Sequence, residues 1–299
     1  MLKISTNQIC AVVVSYNPEE SIISNVEALL LQLKKVIVVD NNSGEPSLQY
    51  LKEIEKKPGV HVIYNDKNLG IATALNIGAQ IVIREGYLWL ATFDDDSLVT
   101  TGYFESLLRA CESYKDRDKV AIISPIYHDK RSGVQYIIAN QKTSDGLKPY
   151  KIDVTMTSGN LVKTSHIKNI GFYDESLFID YVDYDFCLRA SKLGYQIIQT
   201  GTAVLLHSLG QLKRHTLFGK SFHTMQYNKM RRYYQTRNRL ILIRRHWTHK
   251  PSLLLREATL FIKDIIRIAF FEDDSREKMV YFSRGFIDGL KGRKGKRYS

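Results

Sequence analysis

Ile9–Ser15 (Ile-Cys-Ala-Val-Val-Val-Ser) is a continuous apolar run of strand length, and Lys35–Asp40 (Lys-Val-Ile-Val-Val-Asp) is a second. Between them, Ile23, Val26, Leu29, Leu30 and Leu33 recur at helical spacing within Glu20–Leu33. The three segments predict a strand-helix-strand unit. The pattern repeats outward, with a short helix over Ser47–Lys56, a strand over Val60–Tyr64, a helix over Gly70–Glu85 and a strand over Tyr87–Phe93. In the Gly70–Glu85 helix Ala72, Leu75, Ala79 and Val82 fall on one side. Alternating β and α elements predict a mainly parallel, Rossmann-like sheet flanked by helices, with ligands in the crevice beyond the C-terminal ends of its strands.

That rule brings three polar loops to one neighbourhood: Ser15-Tyr16-Asn17-Pro18, Asp40-Asn41-Asn42-Ser43 and Asp94-Asp95-Asp96-Ser97. Three adjacent carboxylates at a sheet edge are costly unless something cationic sits on them. If strand geometry persists, Asp94 and Asp96 point the same way and can share one divalent cation. Hard oxygen ligands suit Mg2+ or Mn2+, ions that commonly bridge carboxylates to substrate phosphates. The competing reading of the same residues is an acidic turn or a helix N-cap at Ser97. Convergence of three loops favours a site over any one motif alone.

The chain has 299 residues and 44% hydrophobic content, enough for one large domain or two small ones with a true core. Cys10, Cys111 and Cys187 lie far apart and match neither a zinc spacing nor a disulfide framework, which favours a reducing compartment. The N-terminus carries no signal-peptide pattern, and no uncharged apolar run is long enough to span a bilayer. Neither Gly-x-Gly-x-x-Gly after the first strand nor a Gly-Lys-Ser/Thr loop is present, which argues against dinucleotide-binding and P-loop classes.

The net charge of +12 is unevenly spread: residues 1–207 carry 21 Lys and Arg against 24 Asp and Glu, and residues 208–299 carry 22 against 7. Ser208–Lys250 contains eleven basic residues and no acidic one, so this segment is expected to face polyanions. Nucleic acid is disfavoured as the partner because it leaves the three carboxylate-bearing loops unexplained.

Beyond Leu107 the alternation gives way to predicted strands at Val120–Pro125, Val134–Ala139 and Ile152–Val162. Gly159 inside the last marks a bulge or the close approach of a ligand. Leu177–Ala190 reads as a loop entering a helix that ends at Leu193-Gly194, its early acids suiting the helix dipole. Ser252–Phe271 is apolar but interrupted by Arg256, Glu257, Lys263, Asp264 and Arg267, which fits an interfacial or packing helix rather than a span.

Val-Val-Val-Ser-Tyr-Asn-Pro, Val-Val-Asp-Asn-Asn-Ser, Asn68-Leu69-Gly70 with Asn76, and Phe-Asp-Asp-Asp-Ser occur in that order. Over roughly residues 8–245 the chain resembles the inverting glycosyltransferases of family 2, and within them bacterial rhamnosyltransferases. The resemblance implies a GT-A fold with a helical C-terminal extension. Residues 1–207 would form the catalytic domain, with a nucleotide-sugar half over about 1–100 and an acceptor half over about 101–207. The basic, mainly helical region 208–299 would complete the site and contact a membrane or a second subunit.

By the same resemblance, Asp40 would read the nucleotide base and Ser15, Tyr16 and Asn17 would line its pocket, with Asn68, Gly70 and Asn76 on the nucleotide-sugar side. Asp94 would contact the ribose side and share a Mg2+ or Mn2+ ion with Asp96 and His207, while Asp95 occupies the variable middle position. Asp183 matches the catalytic base, although Val182 stands where many relatives have glutamate. Arg237, in Tyr-Tyr-Gln-Thr-Arg-Asn, is the candidate for diphosphate contacts, and Ser158, Gly159, Asn160 and Asp180 are assigned to the acceptor side. The implied reaction moves L-rhamnose from dTDP-L-rhamnose to a lipid-linked or oligosaccharide acceptor in bacterial surface polysaccharide synthesis. It would take place in the cytoplasm, and the basic 208–250 segment, the Ser252–Phe271 helix and the terminal Lys-Gly-Arg-Lys-Gly-Lys-Arg cluster add the expectation of peripheral attachment to the anionic inner face of the membrane. A UDP-hexose donor and a sugar-nucleotide-forming nucleotidyltransferase are the alternatives, and a homo-oligomer is left open.

Overall fold

All seven residues of β1 (Ile9–Ser15) are buried, because alternate side chains enter apolar layers on opposite faces of a central sheet. In this computed structural model, residues 5–130, 135–136, 148–208, 212–217 and 220–298 are described. β1 is followed by α1 (Ser21–Leu30), β2 (Val36–Asp40), α2 (Ser47–Glu55), β3 (Val60–Tyr64), α3 (Ile71–Arg84), β4 (Trp89–Asp94) and the short β5 (Leu98–Val99). Next come α4 (Tyr103–Ser113), β6 (Val120–Asp129), β7 (Gln135–Tyr136), β8 (Tyr150–Ile152), β9 (Asn160–Lys163), α5 (Thr164–Ile170) and α6 (Val182–Lys192). The chain continues with β10 (Gln196–His207), a hairpin of β11 (Leu212–Leu217) and β12 (Lys220–Met225), then α7 (Lys229–His246), α8 (Pro251–Phe271) and α9 (Ser275–Leu290).

The sheet order is β3-β2-β1-β4-β9-β6-β10-β5. The first four strands are parallel, as are β6 and β10, and β9 runs antiparallel between the two sets. This is the expected α/β architecture with a mainly parallel sheet. Cys10, Val12 and Val14 join the layer built from Ala72, Leu75, Ala79 and Val82 of α3 and Phe186 of α6. Ile9, Ala11 and Val13 join the opposite layer, with Ile22, Val26 and Leu29 of α1, Leu51 and Ile54 of α2, and Phe104 and Leu107 of α4.

The predicted single strand Ile152–Val162 is two strands in different places: β8 pairs with β10, and β9 fills the slot between β4 and β6. The strand predicted to stop at Pro125 runs on to Asp129. Its register with β10 shifts between Gln199 and Val204, so the missing proline N–H falls at an irregularity in the ladder. Of the predicted strand Val134–Ala139, Gln135 and Tyr136 form β7 and the remainder lies outside the described residues.

Gly159 has φ +86°, and a Cβ there would meet the Tyr103 hydroxyl at 2.7 Å and Leu205 at 2.8 Å. Its N–H donates to the Thr92 carbonyl at 2.6 Å and its own carbonyl accepts from Tyr103 at 2.5 Å. The close approach is thus made by the protein itself, where β9 is pinned to the end of β4.

The acid-free segment is not left facing a polyanion, because distant carboxylates come to it. Lys213 pairs with Asp273, Lys229 with Glu277, Arg231 with Asp180, Arg232 with Glu272, Arg239 with Asp264 and Glu257, Arg245 with Asp174 and Asp185, and Lys250 with Asp153. The sequence run was acid-free because its partners sit on α8, α9 and the link between them, on α6 and the loop before it, and after β8.

Gly159→Ala imposes both a left-handed backbone on a residue with a Cβ and an overlap with Tyr103. It is expected to lower unfolding stability by at least about 2 kcal/mol in chemical denaturation; a neutral result would contradict the packing described.

Candidate active site

The strand register sets the three polar loops side by side, with Ser15 opposite Asp40 and Val14 opposite Asp94. β4 ends at Asp94, so strand alternation does not carry Asp96 to the same side. A turn does, closed by Ser97 N–H donating to the Asp94 carbonyl at 3.3 Å. β5, immediately after the turn, pairs with the end of β10, which delivers His207. Ligand atoms of Asp94, Asp96 and His207 then lie within 4.8 Å of one another.

Ser97 does not cap a helix. It is buried, with its hydroxyl 2.7 Å from that of Ser158 and 2.9 Å from His207 Nδ1. Asp94 N–H donates to the same Ser158 hydroxyl at 3.1 Å. Ser158, Gly159 and Asn160 therefore form a buried strut beneath the carboxylate turn, rather than a surface open to an acceptor.

Asp96 Oδ1 lies 3.0 Å from His207 Nδ1 yet has no aligned hydrogen-bond donor, which leaves a buried carboxylate oxygen unsatisfied. Burial raises the pKa of Asp94, and the Asp96 charge adds to the rise. Burial alone would lower that of His207, but Asp96 and its neighbouring carboxylates raise it. An orphaned oxygen in an oxygen-rich, negatively charged donor set fits a divalent cation.

Asp95, the variable middle position by resemblance, here ties two loops together. Its Oδ2 accepts from Tyr16 N–H at 3.1 Å, and its carbonyl accepts from the Asn25 amide at 2.7 Å. Burial pushes its pKa up to about 7, opposed by the Tyr16 N–H and reinforced by Asp96 and Asp94. Asp40 is buried and accepts from both the backbone N–H and the hydroxyl of Ser43, with Ser15 Oγ at 3.5 Å. Asn17 joins this wall through Ser43 at 2.7 Å and Gly44 at 2.8 Å, and the Tyr16 ring is left 52% exposed at the rim.

Asn68 and Gly70 sit at the start of α3, where Asn68 Oδ1 accepts from Gly70 N–H at 2.9 Å. A Cβ at Gly70 would meet Phe178 at 2.5 Å, so this glycine lets α3 approach the loop before α6. Asn76 is buried and exchanges hydrogen bonds with the Tyr173 backbone at 2.9 Å, its amide also donating to Glu175. These bonds fully engage Asn76 in joining α3 to the 173–175 segment, so it does not serve as a nucleotide contact.

On the far side of the cleft, Phe178, Asp180 and Tyr181 have φ of 67°, 60° and 63°. This backbone is held from α7. The Asn238 amide lies 2.9, 2.7 and 3.0 Å from the carbonyls of Leu177, Ile179 and Asp180. Arg237 is fully buried and donates to the carbonyls of Leu177 at 3.0 Å, Ser176 at 3.3 Å and Gly295 at 2.5 Å. Its guanidinium is therefore not available to a diphosphate. Arg231 is better placed: half-exposed, its Nε 3.2 Å from Asp180, and close enough to Asp94 to feel its charge. Six residues turn an α-helix by about 240°, so Arg231 and Arg237 occupy different faces. That offset was readable in the sequence.

Asp183 lies in the first turn of α6, deep in the cleft but with some solvent contact. Burial pushes its pKa up to about 7, opposed by the Tyr184 N–H and reinforced by the charges of Asp180 and Asp94. Two residues on, Asp185 is fully buried, yet His246 at 3.0 Å, Arg189 at 2.8 Å and Arg245 at 2.6 Å hold its pKa below the usual carboxylate range despite burial. One turn of helix thus carries an ionised structural carboxylate and a second one poised near neutrality.

Because folded Asp183 is raised from 3.8 to about 7, it binds its proton more tightly than the unfolded chain does. Its ionisation opposes folding, and the penalty grows from about pH 4 to about pH 7 and then levels off. Asp183→Asn is accordingly expected to stabilise the metal-free protein more at about pH 8 than at about pH 5 in denaturant titrations. Equal effects at both pH values would show that this carboxyl is not desolvated.

Residues 10–171 match the family model described as "Glycosyl transferase family 2". The chain is 32% identical over 306 aligned residues, 96% of each protein, to a dTDP-rhamnosyl transferase of Shigella flexneri, RfbF. Among solved structures, a mannosyltransferase from Pyrobaculum calidifontis in complex with GDP-Man and Mn2+ superposes with a TM-score of 0.56 at 13% identity, covering 96% of this chain and 88% of that one. GalNAc-T7 with UDP, GalNAc and Mn2+ superposes with a TM-score of 0.60 at 13% identity, over 95% of this chain and 56% of that one. The fold is that of the GT-A glycosyltransferases, and the chain belongs to glycosyl transferase family 2.

Proposed function

We propose that this glycosyltransferase moves L-rhamnose from dTDP-L-rhamnose onto a hydroxyl of a glycan acceptor, with inversion at the anomeric carbon, in bacterial surface polysaccharide synthesis. The observation that carries the donor is the 32% identity to a dTDP-rhamnosyl transferase across 96% of both chains. That span includes α7, whose Arg231 and Asn238 border the cleft, so region 208–299 is read as completing the site. The acceptor is proposed to be lipid-linked, with the protein acting on the cytoplasmic side of the membrane.

In this reading Tyr16 and Asn17 line the nucleoside pocket, with Asp40 as its polar wall. Asp94, Asp96 and His207 hold a divalent cation, Mg2+ or Mn2+, which when bound offsets charge on the departing nucleoside diphosphate. Arg231 adds a fixed positive charge on the opposite side of the cleft. Asp183 removes the proton from the attacking acceptor hydroxyl, a role that requires it within about 2.6–3.2 Å of that hydroxyl in the reacting complex. Asp180 is the acceptor-side partner: one oxygen engages Arg231, and the other is buried without a hydrogen bond and free to receive one. A cavity of about 340 Å³ bordered by Tyr227, Arg232, Gln235 and Arg239 adjoins this side, with Tyr227 stacked under Arg231, and offers polar contacts to an extended acceptor.

A base whose free-state pKa is about 7 loses activity as pH falls below that value and reaches a plateau above it. Asp183→Asn is expected to reduce kcat by about 10²–10⁴ and to flatten this profile while donor affinity is kept; near wild-type turnover would remove Asp183 from the role. Asp96→Asn and His207→Ala should each weaken Mn2+ binding measured by calorimetry, whereas unchanged binding would place the cation elsewhere. A panel of nucleotide sugars tests the donor, and preference for a UDP-hexose would overturn the rhamnose assignment.

A further inference from the structure

Helix α8 is amphipathic in the reverse sense. Its inward face carries Leu253, Leu254 and Ile268 but also the buried carboxylates Glu257 and Asp264. Its outward face carries Leu255 (59% exposed), Ile262 (59%), Ile266 (50%) and Phe270 (77%). At 3.6 residues per turn these four fall within about 80° of the helix circumference, along a rod about 30 Å long. Isolated exposed apolar residues need no explanation, but a continuous stripe does. α9, which packs beside α8 through Phe261 against Phe282 and Phe286, also exposes Val280, Ile287 and Leu290.

We propose that the outward face of α8, continued by α9, is a docking surface for an anionic lipid bilayer. Charge complementarity selects this occupant. Lys263 and Arg267 are the exposed charged side chains of α8, and they flank the apolar stripe on one side. Exposed Arg284, Lys291, Arg293 and Lys294 extend the positive character along α9 and the segment after it. The neighbouring acids are engaged elsewhere or in part: Glu257 and Asp264 with Arg239, Asp264 also with Arg267 at 3.6 Å, Glu272 with Arg232 and Lys278, Asp288 with Arg293, and the exposed Asp273 and Glu277 with Lys213 and Lys229, so among the described residues no ion pair offsets Lys263, Arg284, Lys291 or Lys294. An apolar stripe edged by cations is the pattern of a helix lying in the headgroup region. No described helix is long and apolar enough to cross a membrane, so this one would lie along the surface.

The opposite face of α8 ties this surface to the active site. Tyr181 donates to Glu257 at 2.7 Å and accepts from Arg239 at 2.6 Å, and Tyr181 lies two residues before Asp183. An acceptor anchored in the bilayer would thus arrive on the side of the molecule that holds the proposed base. The surface deepens the reading of a lipid-linked acceptor, but its test needs neither donor nor acceptor, so the two stand or fall separately.

The test is flotation of the full chain with vesicles of equal parts phosphatidylglycerol and phosphatidylcholine, against vesicles of phosphatidylcholine alone. The wild-type protein is expected to float with the anionic vesicles and to be released by salt. Ile262→Gln, Ile266→Gln and Phe270→Gln combined should weaken binding at least about hundredfold. Lys263→Glu with Arg267→Glu should weaken it about fivefold for each cation removed, or more. The changes are at exposed positions, and thermal unfolding checks that the fold is kept. The proposal is overturned if the wild type ignores anionic vesicles at low salt, or if both variants float as well as it does. It is equally overturned if the stripe proves to join two copies of the chain, seen as a dimer that the triple variant converts to monomer without any lipid binding.

Discussion

The geometry of the cleft depends on a loop that cannot hold its own shape. Phe178, Asp180 and Tyr181 all occupy the left-handed region, each at a cost of about 1–3 kcal/mol for a residue with a side chain. The Asn238 amide and the Arg237 guanidinium meet that cost by binding the loop's carbonyls, with the flat ring of Tyr234 packed against Phe178. The loop sets where α6 begins and hence where Asp183 points. It also carries Asp180 to Arg231 and seats Phe178 against Gly70 at the head of α3. Region 208–299 thus supplies the side chains that hold this loop in place.

Within the cleft so formed, carboxylates are separated by environment rather than by sequence. Asp183 and Asp185 share a helix turn, and both are removed from bulk water. Asp185 is surrounded by three cationic or hydrogen-donating side chains and remains ionised, while Asp183 faces Asp94 and Asp180 and has a raised pKa. The same contrast applies at the β4 turn, where the partly buried Asp94 and Asp95 have raised pKa values and one Asp96 oxygen, beside His207, makes no hydrogen bond. Carboxylates gathered in one cleft with fewer cations than acids, Asp96 beside His207 and Asp180 beside Arg231, have the perturbed ionisation expected of a functional site.

Much of this was legible in the sequence because strands write their burial directly. The runs ending at Ser15, Asp40 and Phe93 fix three adjacent parallel strands, and parallel strands place their C-terminal loops together whatever the loops contain. Asp183 and His207 were legible through resemblance, not through any local pattern. What the sequence did not show was long-range pairing. Ser208–Lys250 looked like a polyanion-binding surface because a local count cannot see Asp174, Asp180, Glu272 or Asp273 folding back onto it. Arg237 looked available for the same reason: its partners are backbone carbonyls, which carry no sequence signature. Ser158, Gly159 and Asn160 were placed on the acceptor side because a glycine beside polar residues reads as a ligand contact, whereas Tyr103 occupies the space a ligand would need.

The inverted polarity of α8 follows from this long-range pairing. Arg239 needs acids on its exposed flank, and α8 supplies Glu257 and Asp264 seven residues apart, on one side of the helix. The inner face is then shared by Leu253, Leu254 and Ile268 with the two acids, and Leu255, Ile262, Ile266 and Phe270 lie on the outside. A helix that merely shielded the core would do the opposite, since burying leucine is favourable and burying an ion pair at best breaks even against an apolar alternative. The proposed bilayer contact would take that outer face out of water, and the cations at its edge suit an anionic headgroup layer.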